Sequence, residues 1–180
     1  TLGHHQEDST HIADDVFTAA FAWRWARMEA SGFHGREPNE HRWQVQQGAV
    51  DSWSTRLTLQ PGQNWSGQIS YGRLHSPEAL FPAEDQARTT ASAIYNRPLR
   101  GDDNWVSTQV WGHTRSLADN VIANSYLLES TLRFRSRNYA WTRIEDADRT
   151  TELVLGERQI PPGSAEEPAG RVQAYTLGYD

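Results

Sequence analysis

The stretch Ser125–Glu145, SYLLESTLRFRSRNYAWTRIE, decides the fold. Tyr126, Leu128, Ser130, Leu132 and Phe134 fall on one side of it, and Leu127, Glu129, Thr131, Arg133 and Arg135 on the other. A period of two is the side-chain repeat of a β-strand. Arg137-Asn138 interrupts the run with turn chemistry. Alternation then resumes, with Ala140, Thr142 and Ile144 against Trp141, Arg143 and Glu145. Two alternating runs around a tight turn make an antiparallel hairpin.

The same signature recurs outward in both directions. Nine strands are expected: Val16–Arg24, Trp25–Gly35, Ser52–Gln60, Trp65–Ser76, Arg88–Leu99, Asn104–Arg115, Ser125–Ser136, Tyr139–Arg149 and Arg171–Tyr179. Most approach the ~9–11 residues of a tilted membrane strand rather than the ~5–6 of a soluble one. Tight turns, Pro61-Gly62-Gln63-Asn64, Arg100-Gly101-Asp102-Asp103 and Arg137-Asn138, alternate with long polar links over Arg36–Asp51, Pro77–Ala87, Ser116–Asn124 and Thr150–Gly170. Short turns on one side and long loops on the other are the layout of a transmembrane β-barrel. The expected fold class is therefore all-β, an antiparallel up-and-down meander of about nine strands, part of such a barrel, with residues 1–180 as one domain. Strand parity further leads us to expect a chain incomplete at both ends, with the first and last strands left as open edges.

Composition narrows the class. Eight Trp and six Tyr sit in a chain whose mean hydropathy is only −0.76. Such rings suit membrane interfaces, where one edge is apolar and the other wet. Trp25, Trp65, Trp105 and Tyr139 each open a strand after a short turn, at nearly even spacing. They are the expected interfacial girdle; the alternative is that aromatics simply favour strand starts. All 17 basic residues are arginine, and the net charge is −6. Scattered arginines on an acidic chain argue against a nucleic-acid partner, which wants a concentrated basic face. No cysteine is present, which removes disulfides, thiolate metal sites and thiol nucleophiles. No apolar run approaches the ~20 residues of a membrane helix, and the polar, histidine-rich Thr1–Thr10 does not read as a signal peptide.

Pattern alone does not orient the two faces. A soluble, lipocalin-like barrel binding a small apolar ligand would turn the apolar face inward, whereas a membrane barrel turns it to lipid. The apolar face is thin and rich in Ala, Thr and Gly, too small to fill a soluble core. The polar face mixes opposite charges in adjacent rungs. We therefore expect inversion, with Arg27, Glu29, Arg56, Gln68, Glu129, Arg133, Arg143 and Glu145 lining a lumen that passes small polar solutes. The alternative is a self-neutralising structural plug. Strand six cannot be oriented from pattern, because Val106 and Val110 oppose Trp105 and Trp111.

No constellation carries recognisable chemistry. His4-His5 with His11, or His34 with Glu37, Glu40 and His41, could furnish metal ligands, but neither matches a ligand spacing. By strand counting, His34, His75 and His113 do not share one face. Serines and histidines form no nucleophile elbow or triad spacing, and the acids at Glu145, Asp146 and Asp148 match no calcium loop. No enzyme activity, cofactor or metal is expected.

The chain resembles a family of largely uncharacterised, porin-like outer-membrane barrel proteins of Gram-negative bacteria. Leu2-Gly3-His4-His5, Gly35-Arg36-Glu37-Pro38, Asp51-Ser52-Trp53-Ser54, Ser76-Pro77-Glu78-Ala79-Leu80, Tyr95-Asn96-Arg97-Pro98-Leu99 and Asn124-Ser125-Tyr126-Leu127-Leu128-Glu129-Ser130 carry the resemblance. It implies a barrel fold and an outer-membrane location, where lipid is the expected partner. It brings no substrate, no catalytic residue and no oligomeric state.

Overall fold

A computed structural model describes residue 7 and residues 14–36, 47–78, 84–150 and 168–180. His4, His5, His11, Glu37, Glu40, His41 and most of the Thr150–Gly170 link lie outside the described residues. The chain forms one antiparallel sheet in strict sequence order. Its strands are β1 (Asp14–Trp23), β2 (Ala26–His34), β3 (Ser52–Leu59), β4 (Trp65–Leu74), β5 (Gln86–Pro98), β6 (Asn104–Ser116), β7 (Ile122–Phe134), β8 (Asn138–Thr150) and β9 (Pro168–Tyr179). Every expected strand is present. No ladder joins β1 to β9 among the described residues, so the sheet is open rather than closed.

Strands β5–β8 run for 13 residues each. At about 3.4 Å per residue that is about 44 Å, longer than a bilayer needs. The extra rungs are polar, such as Gln86, Ser116, Asn124 and Asp148, and pattern reading assigned several of them to loops. They pair because a backbone ladder, once started, continues wherever neighbouring N–H and C=O groups stay in register. One consequence corrects the expected alternation of short and long links. The β6–β7 connection shrinks to residues 117–121. There Ser116 N–H donates to the Val121 carbonyl, and the Asp119 carboxylate accepts from Val121 N–H at 3.0 Å. Those bonds hold the Asp119 carboxyl below its ordinary range, the Val121 N–H first and the Ser116 hydroxyl next.

The registers sort the side chains into two continuous faces. One row runs Met28, Leu57, Ile69, Ala91, Trp111 and Tyr126. The neighbouring row runs Glu29, Arg56, Ser70, Thr90, Gly112, Ser125 and Ala147. The polar face is the sheltered one: Thr90, Gln86, Arg88, Ser125 and Ala147 are all buried, Ser125 completely. The apolar face points outward, with Leu177 at 83% and Tyr175 at 71% exposed. In the row Leu57, Leu59, Ile69, Leu128 and Leu132 not one side chain is buried. Pairing also orients β6, setting Trp105 opposite Leu132 and Trp111 opposite Tyr126 on the outward face.

The short turns carry their own chemistry. Arg135 and Ser136 both adopt positive φ, at 53° and 64°. Non-glycine residues meet steric resistance there. The Asp103 carboxylate from the β5–β6 turn compensates by accepting both of their N–H groups, at 3.0 and 2.7 Å.

Candidate functional site

The sheltered face of β2 and β3 is built around one carboxylate. Glu29 and Arg56 are register partners, and the Arg56 guanidinium donates from Nε to Glu29 Oε2 at 2.8 Å. Arg27, two residues along β2, reaches the other carboxylate oxygen at 2.8 Å. The Glu29 side chain is only 7% exposed, whereas those of Arg27 and Arg56 are 54% and 53% exposed. The acid lies at the floor and the two cations stand above it. Long arginine stems bury their methylenes while the heads stay hydrated, so this layering is the ordinary outcome.

A second pair spans β7 and β8. Arg143 donates through Nε and Nη2 to Glu129 Oε2, at 2.8 and 2.5 Å, again between register partners. Here acid and base are equally exposed. Two rungs from Glu129 on the same face, Leu127 sits opposite the buried Glu145. Gln68 donates to Thr90 Oγ1 at 3.4 Å in the middle of the sheet. Arg133 lies at the short-turn end, its guanidinium donating twice to the Ser136 carbonyl and resting 6.0 Å from the Tyr139 ring. All eight expected lining residues thus share the sheltered face, although they form separate clusters rather than one ladder.

Sequence reading missed a buried pair at the opposite end. Arg88 is 2% exposed; its guanidinium donates twice to Gln86 Oε1 and stands 3.5 Å from Glu78. A lone arginine in a threonine-rich run gave no signal, because Glu78 comes from the β4–β5 link. Glu7 also stands on this side, and burial raises its carboxyl pKa beside Ser125, Glu145 and Arg143. Across β2–β8 the sheltered positions hold six arginines (Arg27, Arg56, Arg88, Arg133, Arg143 and Arg149) and three glutamates (Glu29, Glu129 and Glu145).

At the long-loop end, hydrogen bonds tie β2, β3 and β4 together. Asp51 Oδ1 accepts from Gly35 N–H and from the Ser52 hydroxyl, both at 2.9 Å, while Ser52 Oγ accepts from His75 N–H. Gly35 is required by close approach, because a Cβ there would fall 1.9 Å from Ser52 Oγ and 3.0 Å from the His75 backbone. His34 lies 3.3 Å from Asp51, and His75 Nδ1 lies 2.7 Å from Asp85. Desolvation pushes the Asp51 carboxyl up, but the Gly35 and Ser52 donors, with His34 and His75, hold it below its ordinary range. The expectation that His34, His75 and His113 differ in face fails for two of them. His34 and His113 both fall at outward-facing positions of their ladders, while His75 lies one residue past β4. They form no common cluster. Among the described residues, no three His, Asp or Glu side chains are placed to hold a metal ion.

The outward face carries rings toward both ends. At the short-turn end Tyr95 packs between Trp65 and Trp105, at 4.6 and 5.7 Å, and Phe134 meets Tyr179 at 6.3 Å. Toward the other end Trp53 meets Tyr71 at 5.6 Å, while Trp111 and Tyr126 face each other in the row of Ile69. Trp25 lies in the β1–β2 turn and is exposed. Tyr139 departs from the expected girdle: its register partner is Arg133, so it belongs to the sheltered face. Between the rings lie two shallow apolar grooves of about 480 and 520 Å³, formed where Ala91 and Ala93, or Ala19 and Ala30, leave space among larger side chains.

No known protein family, characterised protein or solved structure matches this chain.

Proposed function

We propose that this sheet is wall of an outer-membrane β-barrel whose sheltered polar face lines a passage for small polar solutes. One observation carries the reading: the faces are inverted relative to a soluble protein. Large apolar side chains cover the outward face, and the glutamates and six of the arginines of β2–β8 take the sheltered one, while Arg73, Arg97, Arg115 and Arg171 hold outward positions toward the strand ends. Water does not stabilise so continuous an apolar surface, which exceeds anything expected of a soluble monomer. Lipid does, and the rings at the short-turn border, with the Trp53–Tyr71 pair toward the other, suit headgroup depth. A lipocalin-like module needs the opposite arrangement, with Leu57, Ile69 and Leu128 packed inside. Nothing in the sheltered face suggests a nucleophile with a base, and no catalytic role is proposed.

The absence of cysteine makes the test direct. Single cysteines placed in turn at residues 126–133 of β7, carrying an environment-sensitive fluorophore in lipid vesicles, should alternate. Blue-shifted emission is expected at even positions and quenching by aqueous iodide at odd ones. Uniform quenching, or the reverse alternation, would overturn the proposal. A slower-migrating band after boiling in SDS is a second expected sign.

A further inference from the structure

The charge arrangement of the sheltered face names a solute class. The inference rests on the passage reading above and asks which ions such a passage favours. On β7–β8 the charges of the Arg143–Glu129 pair cancel, and Glu7 and Glu145 leave acid in excess. Arg88 is hidden and faces Glu78. On β2–β3 they do not cancel. A single carboxylate contacts two guanidiniums, and it is the carboxylate that is buried. One of the two positive charges has no counter-charge in the cluster, and both heads stand toward the open side of the face.

The asymmetry is local, because the chain as a whole carries −6. The surplus is confined to the Arg27–Glu29–Arg56 cluster, because Glu7, Glu78, Glu129 and Glu145 stand beside other sheltered arginines. At the short-turn end of the same face, Arg133 adds a cation whose fork is held by a carbonyl rather than a carboxylate. An anion entering there would meet Arg133 first and Arg27 and Arg56 further along.

We propose that Arg27 and Arg56 form an anion station, so that the passage favours small anions such as carboxylates and phosphate over cations. Their guanidiniums offer donors beyond those used on Glu29, and a planar fork suits carboxylate or phosphate oxygens. Glu29 fixes the two stems; its burial keeps its own charge from repelling the solute as strongly as the arginines attract it.

The test uses the full protein in a planar lipid bilayer under a KCl gradient, with chloride as the probe anion. The zero-current potential should have the sign of chloride preference. Removing one charge at roughly 7 Å in water shifts chloride and potassium by about 0.6 kcal/mol each in opposite directions, so the chloride-to-potassium permeability ratio should change by about sevenfold. Arg27→Gln combined with Arg56→Gln should lower the ratio on that scale per charge, and Glu29→Gln should raise it. Inorganic phosphate should reduce chloride current in the parent protein and lose that effect in the double variant. Heat-modifiable migration in SDS verifies that each variant is folded. Two outcomes separate the levels of inference. Conductance with potassium preference, or a ratio unmoved by all three substitutions, overturns the anion station and leaves a passage standing. Absence of any conductance from protein that has inserted overturns the passage itself, and the station with it.

Discussion

Ser136 shows how a single residue reports on its surroundings. With Arg135 it sits at positive φ, where a Cβ is unfavourable, and is held there by the Asp103 carboxylate. Ser136→Gly should therefore raise stability by about 1 kcal/mol, read from the urea midpoint of the folded protein in vesicles. Asp103→Ala should lower it by about as much, since it strands two turn donors. Asp51 supplies a pH-dependent counterpart. Its carboxyl is held below the ordinary range in the fold. A depressed acid contributes stability at pH above its unfolded value of about 3.9, and loses it as pH falls through the lower folded value. Bonds joining β2, β3 and β4 at the long-loop end should thus loosen on acidification. The Gly35 amide proton, followed by NMR, should titrate with a midpoint below that of an unperturbed aspartate, and Asp51→Asn should abolish the titration. Neither feature was legible in the sequence. Positive φ at an Arg-Ser pair has no residue signature, and Asp51 acquires its partners only when residues distant along the chain meet.

At the level of the strand, alternation was enough to locate every element and to divide β2, β3, β4, β7 and β8 into faces. It failed on β6, where valines and tryptophans are both apolar, and only the ladder to β7 oriented that strand. It also misjudged where strands stop, because polar rungs such as Ser116 and Asn124 look like loop until their neighbours are known. The two faces make opposite demands on substitution. Ile69→Arg, on the outward face, should cost about 2–4 kcal/mol for a residue near the middle of the bilayer. Gln68→Arg, one position away on the sheltered face, should cost far less. Unfolding of both variants by urea from lipid vesicles measures the difference, and equal costs would mean that the faces are not differently solvated.

For the molecule as a whole, the open edges matter most. β1 and β9 each present a row of backbone groups with no partner strand among the described residues, and the rings and aliphatics beside them are exposed. Such edges pair with whatever strand they meet. In buffer without detergent this chain should self-associate, with rising light scattering and thioflavin fluorescence. Detergent micelles should suppress both by covering the outward face. A monodisperse species in plain buffer would show that the apolar face has found another cover.

Period-two alternation, tight-turn residues and aromatic placement by themselves determined the strand count, the all-antiparallel order and the split into an apolar and a polar face. Those features are local, set by side-chain direction and turn chemistry within a few residues, and a linear string carries them. Which face is sheltered, which side chains meet and which charges remain over were decided only by the tertiary structure. Register brings Glu29 against Arg56 and sends Tyr139 away from Trp105, and a shift of one rung would reverse every such assignment. The surplus of cations at Arg27 and Arg56 is likewise a property of the folded sheet, because burial separates an acid from its partners in a way that composition cannot express.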